Sequence, residues 1–133
     1  MGRKKSVRVV ETPPMMKGYS PFGISCPKRE KVVLNIEEYE AVRLIDYMHL
    51  KQAEAAEQMN VSRPTLTRIY DKARSKIATA FVEGKEIFME GGAFEYTSVW
   101  YRCKRCHRIF KETQEHKPCN GCKFYGSDEL ETL

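Results

Sequence analysis

Residues 52–71, QAEAAEQMNVSRPTLTRIYD, combine two short helical patterns with a polar turn between them. Ala56 is small, as is required where two helices cross closely. Asn60 stands where the turn needs a left-handed backbone, and asparagine is one of the few side chains that accept this conformation. Val61 is apolar and can fill the space between the helices. Because residue type and spacing agree at these positions, the stretch predicts a helix-turn-helix.

The second helix of this motif is predicted to begin after Ser62 and to continue to about Val82. The Ser62 hydroxyl can cap its first turn, where the missing N–H of Pro64 is tolerated. Gly84 is predicted to end the helix. Leu66 and Ile69 are expected to pack back on the preceding helix. They belong to an apolar stripe that consists of Leu66, Ile69, Ala73, Ile77, Ala80 and Phe81.

The face opposite this stripe is the predicted DNA-binding surface. In a helix that lies in the major groove, side chains on this face reach base edges. The predicted base-contacting residues are Arg63, Pro64, Thr67, Arg68 and Asp71. Arginine can bridge the two acceptors of guanine, so Arg63 and Arg68 are the leading candidates for sequence readout. Phosphate contacts are expected from Gln52, Ser62 and Thr65.

Two other interpretations of this surface stay open. The charged residues can form a plain solvated helix face, or the same fold can contact RNA or protein. A charged stripe on a capped second helix favours DNA binding over both of these interpretations.

A further helix is predicted upstream of the motif. Asn35 can cap its first turn, and Glu38 three residues later completes a capping box. Apolar residues then recur at helical spacing. The first helix of the motif is expected over about Lys51 to Met59. Short strands are expected at Val7–Val10, at Ile87–Met89 and within 94–101.

The charged residues are sorted along the chain. The net charge is +5, and residues 1–31 supply the excess with eight Lys or Arg against two Glu. Residues 37–59 carry two bases and six acids, whereas residues 63–83 carry five bases and two acids. Residues 1–31 also contain four prolines and no apolar periodicity. They are predicted to form an extended basic arm, in which Lys4 and Lys5 contact DNA phosphates.

Length and composition exclude several classes of protein. With 133 residues, the chain is too short for most multidomain enzymes. No apolar run approaches the roughly 18 residues of a membrane span. The first residues are basic and are followed by no apolar signal core, so we expect a cytoplasmic protein. No nucleophile–base arrangement, phosphate-cradling glycine loop or open metal site stands out, so no enzymatic activity is predicted.

Four of the five cysteines form two C-x-x-C pairs, Cys103/Cys106 and Cys119/Cys122. Cytosolic thiols are kept reduced, which favours a metal site over disulfides. Each pair can hold one side of an ion, and together the pairs predict a closed tetrahedral site with four thiolate ligands. Zinc (Zn²⁺) is the preferred ion, because closed four-thiolate sites in DNA-associated proteins are usually structural. Cys26 is interpreted as an ordinary loop thiol.

Iron is the alternative metal. The cysteine spacing and the flanking residues, Trp100-Tyr101-Arg102 and Phe110, resemble the rubredoxin-type module at the end of rubrerythrins. Such modules usually place glycine after each pair, where this chain has His107 and Lys123. Haem attachment would leave the second cysteine pair unexplained, and a dithiol redox catalyst would require a βαβ pattern that the sequence lacks.

Several short motifs are spread over residues 3–92 and comprise Arg3-Lys4-Lys5, Pro21-Phe22-Gly23, Glu38-Tyr39-Glu40-Ala41-Val42-Arg43-Leu44-Ile45-Asp46, Ala55-Ala56, Met59, Val61-Ser62-Arg63-Pro64-Thr65, Ala73-Arg74, Ala78, Val82-Glu83-Gly84-Lys85 and Glu90-Gly91-Gly92. In these motifs the chain resembles a widespread, uncharacterised prokaryotic family of small predicted DNA-binding proteins. The helix-turn-helix of that family is similar to sigma-factor region 4. This resemblance covers about two-thirds of the chain and implies DNA binding and a regulator-like role.

Together these patterns predict a mainly α fold, a helix-turn-helix bundle with an extended basic N-terminal arm and a small C-terminal β zinc ribbon. The expected domains are residues 1–31, 32–92 and 93–133, with a hinge at Gly91-Gly92. The predicted function is sequence-specific binding of double-stranded DNA as a transcriptional regulator. No membrane partner is expected, and a homodimer is left open. The competing function is a metal- or redox-responsive protein that uses a rubredoxin-like four-cysteine iron site.

Overall fold

The structure is a computed structural model that describes residues 7–24, 30–104, 106–112 and 130–133. Within these ranges the helical elements are α1 (Ile36–Val42), a π-helical turn (Arg43–Tyr47), α2 (Gln52–Gln58) and α3 (Arg63–Glu83). The strands are β1 (Val9–Val10), β2 (Gly18–Tyr19), β3 (Lys31–Leu34), β4 (Glu86–Met89), β5 (Glu95–Tyr96), β6 (Trp100–Cys103), β7 (Ile109–Lys111) and β8 (Leu130–Thr132). Among the described residues, no helix combines the length and the apolar character needed to cross a membrane.

The helices pack around one apolar core. Its buried members are Ala41, Leu44, Ala55, Ala56, Met59, Leu66, Ile69 and Tyr70. Val61 packs against this core from the turn between α2 and α3. The Tyr70 hydroxyl donates a hydrogen bond to Asp46 Oδ1 at 2.7 Å. Burial raises the pKa of Tyr70, and the hydrogen bond to Asp46 raises it further, so this phenol stays protonated at neutral pH.

Capping residues set the helix ends, as the sequence predicts. Asn35 is the N-cap of α1, and its backbone N–H donates to Glu38 Oε1 at 2.8 Å. At the start of α3, Ser62 Oγ accepts a hydrogen bond from the Thr65 backbone N–H at 3.3 Å. Gly84 closes α3 with a φ of 66°, in the left-handed region that glycine adopts without strain. The predicted caps are therefore confirmed.

One member of the predicted apolar stripe of α3 does not face the core. Leu66, Ile69, Ala73 and Ala80 are buried and Ile77 is half-buried. Phe81 is 86% exposed. Each residue of an α-helix is turned by about 100° from the one before it, so Phe81 points away from the side that Ala80 presents to the core. The assignment of Phe81 to the core is wrong.

Strand β4 follows α3 and connects two earlier parts of the chain. It pairs in parallel with β3, which precedes α1, and antiparallel with β2. Gly18 of β2 lies so close to β4 that a Cβ atom at this position would stand 1.9 Å from the Ile87 carbonyl oxygen. Only glycine permits this approach.

Two further sheets complete the described fold. Strand β1 pairs in parallel with β5, and β6 lies between β7 and β8 with antiparallel pairing on both sides. Val10 of β1 is fully buried. From β6, Arg102 Nη2 donates to the Pro14 carbonyl at 3.1 Å. The N-terminal residues of the described chain are therefore fastened to its C-terminal strands.

The prediction of a mainly α fold is wrong. In the described part of the chain, three α-helices accompany eight strands in three small sheets, and 38% of the residues are helical and 23% are in strands. The extended arm is corrected in the same way, because β1 and β2 lie within residues 7–24 and both are paired. The strands expected at Val7–Val10, at Ile87–Met89 and within 94–101 match β1, β4, β5 and part of β6, whereas β2, β3, β7 and β8 were not predicted. Strands of two to four residues show little periodicity in a sequence. The division into residues 1–31, 32–92 and 93–133 stays a prediction.

Candidate nucleic-acid interface

The turn between α2 and α3 has the backbone that its sequence predicts. Asn60 has a φ of 57°, which confirms the expected left-handed conformation. The Val61 N–H donates to the Ala56 carbonyl at 3.0 Å, and the Asn60 N–H donates to the Glu57 carbonyl at 3.1 Å. These bonds satisfy carbonyl groups that the end of α2 would otherwise leave unpaired. The turn therefore holds α2 and α3 in a fixed relation.

The predicted base-contacting residues share the outer side of the first turns of α3. Residues three, four and seven apart in a helix lie on one side. We call this set the recognition face, and it consists of Arg63, Pro64, Thr67, Arg68 and Asp71. Four of them are exposed, and Thr67 is half-buried. The structure therefore brings all five together on one open surface.

The predicted phosphate-binding residues border the recognition face. Ser62 Oγ donates to Thr65 Oγ1 at 2.8 Å, and Arg68 Nη2 donates to the same oxygen at 3.3 Å. Gln52 lies in the first turn of α2, where its Oε1 accepts a hydrogen bond from Thr67 Oγ1 at 2.6 Å. The starts of α2 and α3 are thus linked by polar side chains. Unpaired backbone N–H groups at helix starts favour anions such as phosphate.

The N-terminal segment runs beside the α2–α3 turn. Asn60 Nδ2 donates to the Val7 carbonyl at 3.1 Å. The Val9 N–H donates to the Met59 carbonyl at 3.0 Å. Asn60 therefore has two roles, since its backbone shapes the turn and its side chain holds the start of the described chain.

Lys4 and Lys5 lie outside the described residues. Their predicted role as phosphate contacts therefore stays a prediction.

Three carboxylates on α1 are buried, and two of them, Glu37 and Glu40, hold the N-terminal segment. Their burial was not predicted, since only Glu38 stood out in the sequence, as part of the capping box. Glu37, Glu38 and Glu40 are 3%, 2% and 1% exposed. Glu37 forms an ion pair with Arg8 and accepts the Ala93 backbone N–H at 3.0 Å. One carboxylate thus joins the segment before β1 to the residues that lead into β5.

The other two carboxylates add to this network. Glu40 pairs with Arg43 and accepts the Glu11 backbone N–H at 2.5 Å. Glu38 pairs with Lys76 of α3 at 2.6 Å, and its Oε2 has no hydrogen-bond partner among the described residues. Helical spacing held a signal for this arrangement, because Glu37 and Glu40 lie four residues before the core residues Ala41 and Leu44 and so face the same side.

The first cysteine pair lies at the turn between β6 and β7. Cys103 is buried at the end of β6, and Cys106 is half-buried. The His107 N–H donates to the Cys103 carbonyl at 2.8 Å, and the Cys103 N–H donates to the Arg108 carbonyl at 3.0 Å. His107 has a φ of 61°, so histidine takes the left-handed backbone that glycine usually supplies. The chain reversal thus places two thiols on one turn, which fits one half of a four-thiolate site.

The second pair, Cys119 and Cys122, lies outside the described residues, as does Cys26. Within residues 7–24, 30–104, 106–112 and 130–133, no group of three or more His, Cys, Asp or Glu side chains is placed to hold a metal ion. The complete four-cysteine site therefore stays a prediction.

Comparison with known proteins assigns the family. Residues 1–97 match the family described as "Protein of unknown function DUF134". A UPF0251 protein from Chloroherpeton thalassium is 38% identical over 133 residues, which cover 100% of this chain and 87% of the relative. A UPF0251 protein from Moorella thermoacetica is 40% identical over 130 residues, which cover 98% of this chain and 86% of the relative. No solved structure is significantly similar. The chain therefore belongs to the DUF134/UPF0251 family of uncharacterised prokaryotic proteins.

Proposed function

We propose that this protein is a non-enzymatic, sequence-specific DNA-binding protein that regulates transcription in the cytoplasm. The observation that carries the proposal is the recognition face, an exposed polar strip on a helix that follows α2 through a left-handed turn at Asn60. In a helix-turn-helix similar to sigma-factor region 4, this second helix enters the major groove of double-stranded DNA. The cap at Ser62 and the packing of Val61 support the same assignment.

The recognition face supplies the groups needed for base readout. Arg63 and Arg68 each carry a guanidinium that can bridge O6 and N7 of guanine. Asp71 can accept a hydrogen bond from N4 of cytosine. Thr67 and Pro64 present apolar carbons that suit the methyl group of thymine.

Phosphate contacts orient the protein on the duplex and add affinity without sequence preference. Gln52, Ser62 and Thr65 are proposed for this role because they lie at the starts of α2 and α3. Lys4 and Lys5 are proposed to add a second set of phosphate contacts.

The four cysteines are proposed to hold one structural Zn²⁺. Cys103 and Cys106 fit the ion because their turn presents two thiols within four residues, and Cys119 and Cys122 are the proposed remaining ligands. When bound, zinc with four thiolates stabilises a small fold by linking its ends and leaves no open coordination position.

The DNA-binding proposal is tested by titrating variants against a duplex enriched by in vitro selection and against a scrambled duplex. Arg68→Ala is expected to cost about 1–3 kcal/mol on the selected duplex and much less on the scrambled one. Lys72→Ala is the matched control, since it removes an exposed positive charge from the same helix outside the recognition face. It is expected to leave the ratio of the two affinities unchanged. Equal losses on both duplexes for Arg68→Ala would show that this side chain contacts only the backbone.

The second candidate function is a metal- or redox-responsive protein with a rubredoxin-like iron site. The left-handed backbone of His107 supports this candidate, because rubredoxin-type modules usually place glycine directly after a cysteine pair and glycine readily adopts that conformation. Metal analysis of natively purified protein separates the two candidates. A colourless protein with about one zinc per chain supports the structural site. A red protein with stoichiometric iron supports the alternative. Cys26→Ser is the matched control and is expected to retain the metal that Cys103→Ser loses.

A further inference from the structure

The outer side of α3 changes character halfway along the helix. Up to Arg74 it carries the charged residues of the recognition face, together with Lys72 and Arg74 itself. From Ser75 onward its exposed positions are uncharged until the last residue of the helix and consist of Ser75, Ala78, Phe81 and Val82. Phe81 is 86% exposed and Val82 is 80% exposed. Two neighbouring apolar side chains exposed to water at one end of a helix indicate a contact surface that is separate from the recognition face.

A loop from the N-terminal segment enlarges this apolar surface. Phe22 is 98% exposed and Ile24 is 48% exposed. The loop lies at the end of α3, because a Cβ atom built on Gly84 would stand 3.2 Å from Ile24 Cδ1. We call these residues the distal patch, which consists of Phe22, Ile24, Phe81 and Val82.

We propose that the distal patch is a dimerisation surface on which a second copy of this chain docks. A buried aromatic side chain removes about 150–250 Å² from water, so the four side chains offer on the order of 500 Å² per copy. A pair of copies then buries about 1,000 Å², which is at the lower limit for a specific interface.

The charge pattern of α3 selects a second copy over other partners. In a two-fold symmetric dimer, groups near the axis meet their own copies, so a charge at this place would repel itself. The exposed side of α3 carries none between Ser75 and Val82, and Lys76 in this range is half-buried and paired with Glu38. Of the described charged residues at the end of the helix, Lys85 is paired, since its Nζ stands 3.0 Å from Glu30 Oε2 and 3.7 Å from Glu83 Oε2.

The position of the distal patch also suits a DNA-binding dimer, an argument that rests on the proposed function. Thr67, at the centre of the recognition face, lies 14 residues before Phe81, or about 21 Å along the helix axis. Two copies joined at their distal patches can hold their recognition faces at separations up to about 40 Å. This range includes the roughly 34 Å between half-sites one DNA turn apart. We therefore expect the selected duplex to be an inverted repeat.

Sedimentation equilibrium of the full chain without DNA tests the docking surface. The protein is expected to be dimeric at about 100 µM. Phe81→Lys places a charge next to its own copy and is expected to weaken the dimer at least 30-fold, by about the energy of an interface hot spot. Val82→Lys is expected to do the same. Met15→Lys is the matched control, because Met15 is 71% exposed outside the patch, and it is expected to stay dimeric. Circular dichroism checks that each variant keeps its helices.

The outcomes separate this inference from the proposed function. A monomeric wild-type protein, or a Phe81→Lys variant that remains dimeric, overturns the docking surface whether or not DNA is bound. Loss of the dimer in Met15→Lys overturns it as well, because the effect would then not be specific to the patch. A dimer that Phe81→Lys abolishes, but that enriches no duplex, supports the docking surface and overturns the proposed function.

Discussion

The α2–α3 unit and the N-terminal segment (residues 7–24) differ in the interactions that hold them. The α2–α3 unit is stabilised by an apolar core with members such as Leu66 and Met59, both fully buried. The N-terminal segment buries Val10 and Pro13, and it is also held by hydrogen bonds and by ion pairs to buried carboxylates on α1. Apolar packing is non-directional and tolerates small shifts, whereas a buried ion pair fails once one partner is lost. The two regions should therefore respond differently to the same kind of perturbation.

Truncation in the apolar core is expected to have the largest effect. Leu66 is fully buried, so Leu66→Ala removes apolar contacts and leaves a cavity. The free energy of unfolding should fall by about 3–5 kcal/mol in chemical denaturation. Met48→Ala is the control, since Met48 is 50% exposed and should cost less than about 1 kcal/mol. Equal costs for both variants would contradict the assigned core.

Loss of a buried carboxylate is expected to act on the N-terminal segment alone. Glu37→Gln removes the ion pair with Arg8 but keeps the size of the side chain. It should destabilise by roughly 1–3 kcal/mol. Hydrogen exchange should quicken at residues 7–11 and 93–97 and stay unchanged in α2 and α3. Glu54→Gln, on the exposed side of α2, is the control. A uniform loss of protection across the chain would show that the two regions are not separable.

A smaller effect on stability is expected at Asn60, where the α2–α3 unit contacts the N-terminal segment. Asn60→Gly keeps a residue that accepts the left-handed turn, but it removes the hydrogen bond to Val7. Stability should change by no more than about 1 kcal/mol, and affinity should fall equally on selected and scrambled duplexes. Asn60→Ala also strains the turn and should cost a further 1–2 kcal/mol or so. A drop in affinity confined to the selected duplex for Asn60→Gly would contradict the tethering role.

The smallest effect is a pH dependence of the stability at high pH, which arises from Tyr96 in strand β5, beside the N-terminal segment. Burial raises the pKa of Tyr96 to about 12 despite the opposing charge of Arg102. Because the folded pKa lies above the ordinary value of 10.0, the neutral phenol favours folding fully below pH 10.0, and this contribution is lost as the pH rises toward 12. Absorbance titration of the phenols should show a late step that Tyr96→Phe removes. Persistence of that step in the variant would contradict the assignment.

Local signals explain why the helices of this chain could be predicted and only some of its strands could. The caps at Asn35, Ser62 and Gly84 act within one helical turn, so their effect is visible in a few consecutive residues. The strands expected at Val7–Val10, at Ile87–Met89 and within 94–101 match β1, β4, β5 and part of β6. Strands β2, β3, β7 and β8 were not predicted, and no local pattern encodes the pairing of strands as distant as β2 and β4. The predicted fold class was wrong because these strands were missed.

In the candidate site, too, the residues that follow helical spacing were predicted, and the residues whose role depends on distant contacts were not. All five residues of the recognition face lie where helical spacing puts them. The buried role of Glu37 was missed because an acidic run next to a capping residue resembles a solvated first turn. Phe81 was assigned to the core on hydrophobicity alone, although its rotation from Ala80 turns it outward.

Sequence-specific DNA binding is tested by in vitro selection from a random duplex pool, followed by titration with the wild-type protein at fixed salt. We expect one sequence to be enriched and to bind at least about 1,000-fold tighter than a scrambled duplex. Enrichment of no sequence, with equal affinity for all duplexes, would contradict sequence-specific DNA binding.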